Sequence, residues 1–287
     1  MSNKSATADF IAGNFGGMAQ VIVGQPLDTI KVRLQLDEGK FKGAWDCTVQ
    51  TVRKEGFLAL YKGMASPLIG IGAVNALLFA ANSSIKSRLQ KRPDELLSLD
   101  KIAIAGAGAG LINSILASPV ELLKIKMQAQ FGSRAAHDGK RFFSGPFDCA
   151  RYLIQRDGMA HGLFRGLWAT IVREIPAYAG FYSGFEVTKR YLTNNNQMEA
   201  SVMQLMTSGA AGGVSYWVCC YPLDVVKSIV QNQEKPPRGL YVTSLLRKVY
   251  SRDGLAGLYR GFTTSVLRSI PAAGATFTAY ELCIRLF

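Results

Sequence analysis

Histidine is nearly absent. His137 and His161 are the only two in 287 residues, and both fall in one inter-segment stretch. A histidine-based metal site or a Ser/His/Asp triad has little to work with. The five cysteines (Cys47, Cys149, Cys219, Cys220, Cys283) include no C-x-x-C pair, which argues against a zinc module or a disulfide scaffold. Charged residues make up only 18% of the chain and mean hydropathy is positive, which argues against disorder and against a soluble nucleic-acid binder. No nucleophile–base pair, phosphate loop or metal cluster stands out. An enzyme is not expected, and neither is a metal or cofactor.

Charge is also missing locally. Stretches 10–27, 64–85, 102–120 and 200–223 contain no Asp, Glu, Lys or Arg. Stretch 167–185 has only Arg173 and Glu174, and 262–280 has only Arg268. A bilayer-spanning helix needs about 20 mostly apolar residues, so the spacing predicts six spans. Each holds Gly, Ser, Asn or Thr, as helices do when one face meets lipid and another meets neighbours or water. Six buried helices of a soluble protein, nearly charge-free on every face, would be uncommon.

What charge there is sits on one side. The connections 31–63, 124–166 and 227–261 carry 7, 8 and 7 basic residues against 4, 3 and 2 acidic ones. Their excess equals the whole net charge of +13, and the rest of the chain is neutral. A one-sided Lys/Arg excess is what topology rules expect of a membrane protein. No aromatic-basic motif accompanies it, so nucleic acid is not the expected partner. Residues 1–9 show no transit-peptide pattern, and any organelle address is expected to be internal.

The chain also repeats itself. Pro26-Leu27-Asp28-Thr29-Ile30-Lys31 returns as Pro119-Val120-Glu121-Leu122-Leu123-Lys124 and as Pro222-Leu223-Asp224-Val225-Val226-Lys227. Gln35, Gln128 and Gln231 follow each Lys by four positions. Gly13/Gly17, Gly106/Gly110 and Gly209/Gly213 precede each Pro. Further on come Glu55-Gly56 with Tyr61-Lys62-Gly63, Asp157-Gly158 with Phe164-Arg165-Gly166, and Asp253-Gly254 with Tyr259-Arg260-Gly261. The three units are 1–98, 99–198 and 199–287, forming one integrated domain. The G-x-x-x-G spacing allows close helix approach, and the Pro is expected to kink each odd-numbered helix near its basic end. A two-span unit returns to its starting side, so three units run parallel around an axis normal to the membrane. Each Lys can then pair with the acid of a neighbouring unit, since charges at membrane depth are costly unless partnered.

With these motifs the chain resembles the mitochondrial carrier family over essentially its whole length, nearest in appearance to the carnitine/acylcarnitine and basic amino-acid branch. The resemblance implies an all-α membrane protein of six transmembrane helices in three tandem two-helix repeats, with pseudo-threefold symmetry and short matrix-side helices. It implies a monomer in the inner mitochondrial membrane, its termini toward the intermembrane space, exchanging small metabolites by alternating access. Asp28, Lys31, Glu121, Lys124, Asp224 and Lys227 match the family's matrix salt-bridge ring, and Gln35, Gln128 and Gln231 its glutamine braces. Gly63, Gly166 and Gly261 match its cardiolipin-binding element, where free helix N–H groups can hold a phosphate. The cytoplasmic gate would comprise Lys86, Glu186, Lys189 and Glu281. It is intact only as Phe185-Glu186-Val187-Thr188-Lys189, because Ser83 replaces one acid and Ile284 one base. A weak cytoplasmic gate is expected.

Asymmetric residues should read an asymmetric solute. Arg173 and Arg268 stand seven residues after Gly166 and Gly261, on the order of 10 Å into their spans. Intramembrane ionisable groups point to function. Arg173 or Arg268 can take a carboxylate in a fork geometry, and Glu174 can take an ammonium or guanidinium. Asn75 resembles the basic amino-acid members, and Gln25 stands where carnitine carriers often have a His. The expected solutes are basic amino acids (arginine, lysine, ornithine) or carnitine and acylcarnitine, with an uncoupling-type proton or anion leak as the alternative. Tyr216 and Trp217 read mainly as packing or interfacial aromatics, able to stack on a cation.

Overall fold

A computed structural model describes residues 3–36, 41–90, 96–130, 142–195, 201–233 and 241–284. Among these there is no β-strand. Six long helices alternate with three short ones: α1 (Asn3–Gln35), α2 (Ala44–Glu55), α3 (Ala65–Leu89), α4 (Leu99–Gln128), α5 (Pro146–Gly158), α6 (Leu167–Leu192), α7 (Val202–Asn232), α8 (Tyr241–Leu258) and α9 (Phe262–Ile284). Even the shortest long helix has 23 residues, about 34 Å at 1.5 Å each and enough for a hydrocarbon core of about 30 Å. Among the described residues, the segments Phe57–Leu89 and Leu99–Gln128 are apolar enough to qualify as spans on composition alone. The other long helices dilute their apolar surface with charged and hydroxyl side chains.

The helices outrun the charge-free stretches. α1 continues past Pro26 to Gln35, and α4 and α7 do the same past Pro119 and Pro222. The acid, the Lys and the Gln of each repeated motif therefore lie within a helix rather than in the connection after it. Below each motif a small core ties the odd helix to the short one. Ile30, Leu34, Phe41, Cys47 and Leu60 form the first, and Leu122, Met127, Phe143, Cys149 and Leu153 the second. In the third, Val226 and Val230 meet Val242 and Ala169. Asp46 and Asp148, in the first turns of α2 and α5, reach back to accept from the backbone N–H of Lys42 (2.9 Å) and of Ser144 (3.1 Å) just before each helix. The Lys42 bond holds the Asp46 carboxyl below its usual range.

Three glycines close the bundle on its basic face. Gly63, Gly166 and Gly261 are left-handed at φ 80°, 79° and 85°, and each turns the chain into the next long helix. A Cβ on Gly63 would sit 2.8 Å from Lys124 O, and one on Gly166 3.0 Å from Gln231 Cγ. On Gly261 it would meet Lys31 O at 3.5 Å. Every linker thus rests on the odd helix of the following repeat, the third returning to the first.

The G-x-x-x-G pairs are not equivalent. Gly106 and Gly110 hold α4 against α6, where a Cβ would lie 2.5 and 2.6 Å from the carbonyls of Tyr178 and Glu174. Gly13, Gly209 and Gly213 have nothing within 4 Å of that position. Spacing alone predicts close approach at all three, yet α4–α6 is the pair closed on both its glycines. Gly110→Ala should therefore lower thermal stability in detergent by about 1–3 kcal/mol through overpacking. Gly13→Ala should leave it unchanged or slightly raised, because Ala favours helix by up to about 1 kcal/mol. Equal effects at the two sites would contradict the packing described.

Candidate functional site: a ring of buried ion pairs

The ends of α1, α4 and α7, beyond Pro26, Pro119 and Pro222, bring six charges together. Lys31 Nζ lies 2.6 Å from Asp224 Oδ2, Lys124 Nζ lies 2.5 Å from Asp28 Oδ2, and Lys227 pairs with Glu121. Every lysine reaches the acid of another repeat, so the three pairs close a cycle and are not local helix-end pairs. Lys227, Lys31 and Asp224 are well buried, whereas Asp28, Lys124 and Glu121 are partly exposed, Glu121 to 32%.

The sequence resemblance implied three glutamine braces, and the structure places one on a ring pair. Gln35 Nε2 donates to Asp224 Oδ2 at 3.0 Å while its Oε1 accepts from Ser228 Oγ at 2.8 Å. Gln128 and Gln231 turn to threonine hydroxyls instead, at Thr29 (3.2 Å) and Thr170 (3.5 Å). Thr29 in turn donates to Leu60 O at 2.7 Å, which ties the brace to the first linker.

A second tier of cations comes from α6 and α9. Arg173 Nη2 lies 3.0 Å from Glu121 Oε1 and also pairs with Glu174; its Nη1 donates to Tyr216 Oη at 2.5 Å and stands 3.8 Å from Asp224 Oδ1. Arg173 is 3% exposed and Glu174 1%. In this conformation the pair nominated for solute binding is enclosed and joined to two ring acids. Arg268 differs. Its Nε lies 3.0 Å from Asp28 Oδ1, yet it is out of line for a hydrogen bond, and the side chain is 18% exposed. Trp217 carries Lys31 Nζ 4.0 Å from its ring centre and the Arg268 guanidinium at 5.9 Å. Both aromatics thus serve the protein's own cations, a role that adjacency in sequence could not separate from packing. Asn75 is half-buried across from Gly17.

Gln25 faces away from this cluster. It is fully buried and donates to Lys62 O at 2.7 Å. Its weight as an argument against carnitine disappears, because an imidazole N–H could make the same bond.

At the opposite end, among the described side chains, Lys86, Glu186 and Lys189 form no ion pair with one another. Lys86 Nζ lies 5.4 Å from the centre of the Tyr182 ring, and Glu186 pairs within its own helix with Arg190 at 2.8 Å. Lys189 offers its carbonyl to Thr193 at 2.9 Å. The Glu281 side chain lies outside the described residues. The basic residue before each linker glycine turns to the acid before the short helix ends: Lys62 to Glu55, Arg165 to Asp157, and Arg260 to Asp253 at 4.0 Å. Hydrogen bonding from Arg156 holds the Asp157 carboxyl below its usual range.

In three consecutive copies, over residues 2–93, 97–196 and 198–287, the sequence matches the family described as mitochondrial carrier protein. The chain belongs to the mitochondrial carrier family. It is accordingly an all-α protein with six transmembrane helices in three repeats, and a mitochondrial transporter of small metabolites. A carnitine/acylcarnitine carrier-like protein of Arabidopsis thaliana is 38% identical over 96% of this carrier and 97% of its own length. A mitochondrial glycine transporter of Saccharomyces cerevisiae is 36% identical over 99% and 92%. The mitochondrial carnitine/acylcarnitine carrier protein of Macaca fascicularis is 32% identical over 98% and 94%.

Removing one partner of a buried pair strands the other charge, at a cost of about 3–5 kcal/mol. Asp224→Asn in this carrier should therefore lower its thermal stability by about that much. Lys86→Ala, which loses a ring contact and an attraction to Glu186 without a direct ion pair among the described residues, should cost no more than about 1 kcal/mol. Thermal unfolding of the purified variants checks both, and similar losses would contradict the ring's weight.

Proposed function

We propose that this carrier exchanges zwitterionic solutes of the amino-acid type, carnitine and its esters or neutral amino acids, across the inner mitochondrial membrane as a monomer. Its termini face the intermembrane space, and cardiolipin sits at the helix starts after Gly63, Gly166 and Gly261, where the partial positive charge of a helix N-terminus favours a phosphate. The observation that carries the solute class is the Arg268–Asp28 contact. It is an ion pair without an aligned hydrogen bond, placed next to an aromatic face.

The cluster holds five cations (Lys31, Lys124, Lys227, Arg173, Arg268) against four carboxylates (Asp28, Glu121, Asp224, Glu174). A site with one extra positive charge in a low-dielectric setting favours a solute that brings a carboxylate, and it penalises a net cation. A zwitterion fits best. Its carboxylate takes Arg268 in the bidentate geometry that Asp28 does not provide, and its cation lies between Asp28 and the face of Trp217. The solute replaces an internal ion pair with two contacts of the same sign pattern, so no charge is left unpaired. Asp28 then holds Lys124 less firmly, and the matrix ring loosens. This links binding to opening. Carnitine and glycine, named in the relatives, each carry one carboxylate and one cation. Arg173 and Glu174 serve the ring in this state rather than the solute. The expectation of basic amino acids gives way on charge grounds.

In liposomes, Arg268→Ala should cut carnitine homo-exchange by at least about 100-fold, as expected for losing a charge-assisted pair of bonds. Thermal stability should stay within about 1 kcal/mol, since Lys124 still pairs with Asp28. Exchange at the wild-type rate in that variant would overturn the assignment of Arg268.

A further inference from the structure

Six residues before each motif proline stand Gln20, Asn113 and Tyr216, equivalent positions on α1, α4 and α7. Seven residues after each linker glycine stand Gly70, Arg173 and Arg268, equivalent positions on α3, α6 and α9. The two sets meet between repeats 2 and 3. Tyr216 Oη accepts from Arg173 Nη1 at 2.5 Å, and the guanidinium carbon lies 5.7 Å from its ring centre. A side chain at this position of α7 therefore turns toward the arginine of the preceding repeat.

Asn113 occupies the same position between repeats 1 and 2, where Ser66 Oγ donates to Val120 O at 2.7 Å and holds α3 on α4. It stands eleven residues before Lys124, about three full turns, and so shares the face that carries the ring lysine. The arginine that answers Tyr216 has no counterpart here. Gly70 takes its place, and even a Cβ there would meet Val120 Cγ2 at 2.8 Å. Asn113 is 1% exposed, yet neither its Oδ1 nor its Nδ2 has a hydrogen-bond partner. Its neighbour Ser114 is satisfied within the helix, by Gly110 O at 2.8 Å. A buried amide left unpaired costs stability, and native proteins pair nearly all such groups.

The amide fits one part of a solute and not the others. It is neutral, so it neither adds to nor offsets the excess charge of the cluster. A carboxylate is better served by Arg268, and a cation by Asp28 and Trp217. With its N–H donors and its carbonyl acceptor, the amide matches a group that is polar but uncharged, a hydroxyl or an ester carbonyl. The repeat spacing sets Asn113 at the depth of Tyr216, one residue from Trp217, whose face takes the solute's cation.

We propose that Asn113 is a solute-binding and specificity-determining residue, its amide taking the hydroxyl or ester carbonyl of a zwitterion at the corner where α3 carries Gly70. The inference rests on the zwitterion reading and narrows it. Carnitine and its esters carry such a group, and glycine does not. A solute that brings the hydroxyl pairs the amide, and an analogue without one leaves it stranded.

The test compares the wild type with Asn113→Leu, which keeps the shape of the side chain and removes both polar atoms. In liposomes the wild type should half-saturate with carnitine at a concentration about tenfold to hundredfold below that for γ-butyrobetaine, the same betaine without its hydroxyl. Asn113→Leu should lose that preference, with carnitine weakened and γ-butyrobetaine little changed. Its melting temperature without solute should rise by about 2–6 °C, since an unpaired amide has been removed. Lower melting with an unchanged preference would overturn the proposal and make the amide a packing contact. Equal half-saturation for the two betaines in the wild type would also overturn it, and that measurement needs no variant to fold. Exchange of arginine alone would defeat the zwitterion reading as well, whereas zwitterion exchange without the hydroxyl preference defeats this inference alone.

Discussion

Six charges buried at membrane depth must find partners, and that requirement organises this protein. An unpaired lysine or carboxylate in the bilayer core is costly enough to forbid most arrangements. Pairing each lysine with the acid of another repeat forces the ends of α1, α4 and α7 to converge. Convergence brings each linker glycine against the next repeat's helix, tightly at Gly63 and Gly166 and in ordinary contact at Gly261. The short helices then pack under those ends through the three small cores. The fold is a consequence of charge pairing as much as of apolar burial.

The same electrostatics shape the transport cycle. With its six charges paired across repeats, the ring end of the bundle is held closed in this structure. The even helices add a second layer of control. Arg173 is bound into the ring by Glu121, Glu174 and Tyr216, whereas Arg268 holds Asp28 by proximity without alignment. One arginine is fixed and the other can be recruited. A solute that satisfies Arg268 better than Asp28 does will draw on the ring's own stabilisation, so recognition and opening share one residue.

Much of this was legible in the sequence. The charge-free stretches marked the six spans, and the triple P-x-[DE]-x-x-K motif marked the repeats and the ring members, because spacing along a helix determines which residues reach one end. Side-chain destinations were less legible. Gln128 and Gln231 carry the same spacing as Gln35, yet nearby threonine hydroxyls capture them. Glu174 reads as a solute carboxylate from its isolation in the chain, but folding sets it beside Arg173 in a dry contact. The inequality of the glycine pairs was also hidden, since it depends on how far neighbouring helices stand apart. Arg33 and Lys126 were visible as basic residues two places after the ring lysines. Their hydrogen bonds to carbonyls at the end of another repeat's helix appear only in three dimensions.

The most direct test is homo-exchange in liposomes preloaded in turn with carnitine, glycine and arginine, each followed with its own labelled solute. The account predicts exchange of a zwitterion, carnitine or glycine, and none of arginine, because the cluster already carries one positive charge in excess. Exchange of arginine alone would contradict it, and would return Glu174 to the role of solute carboxylate.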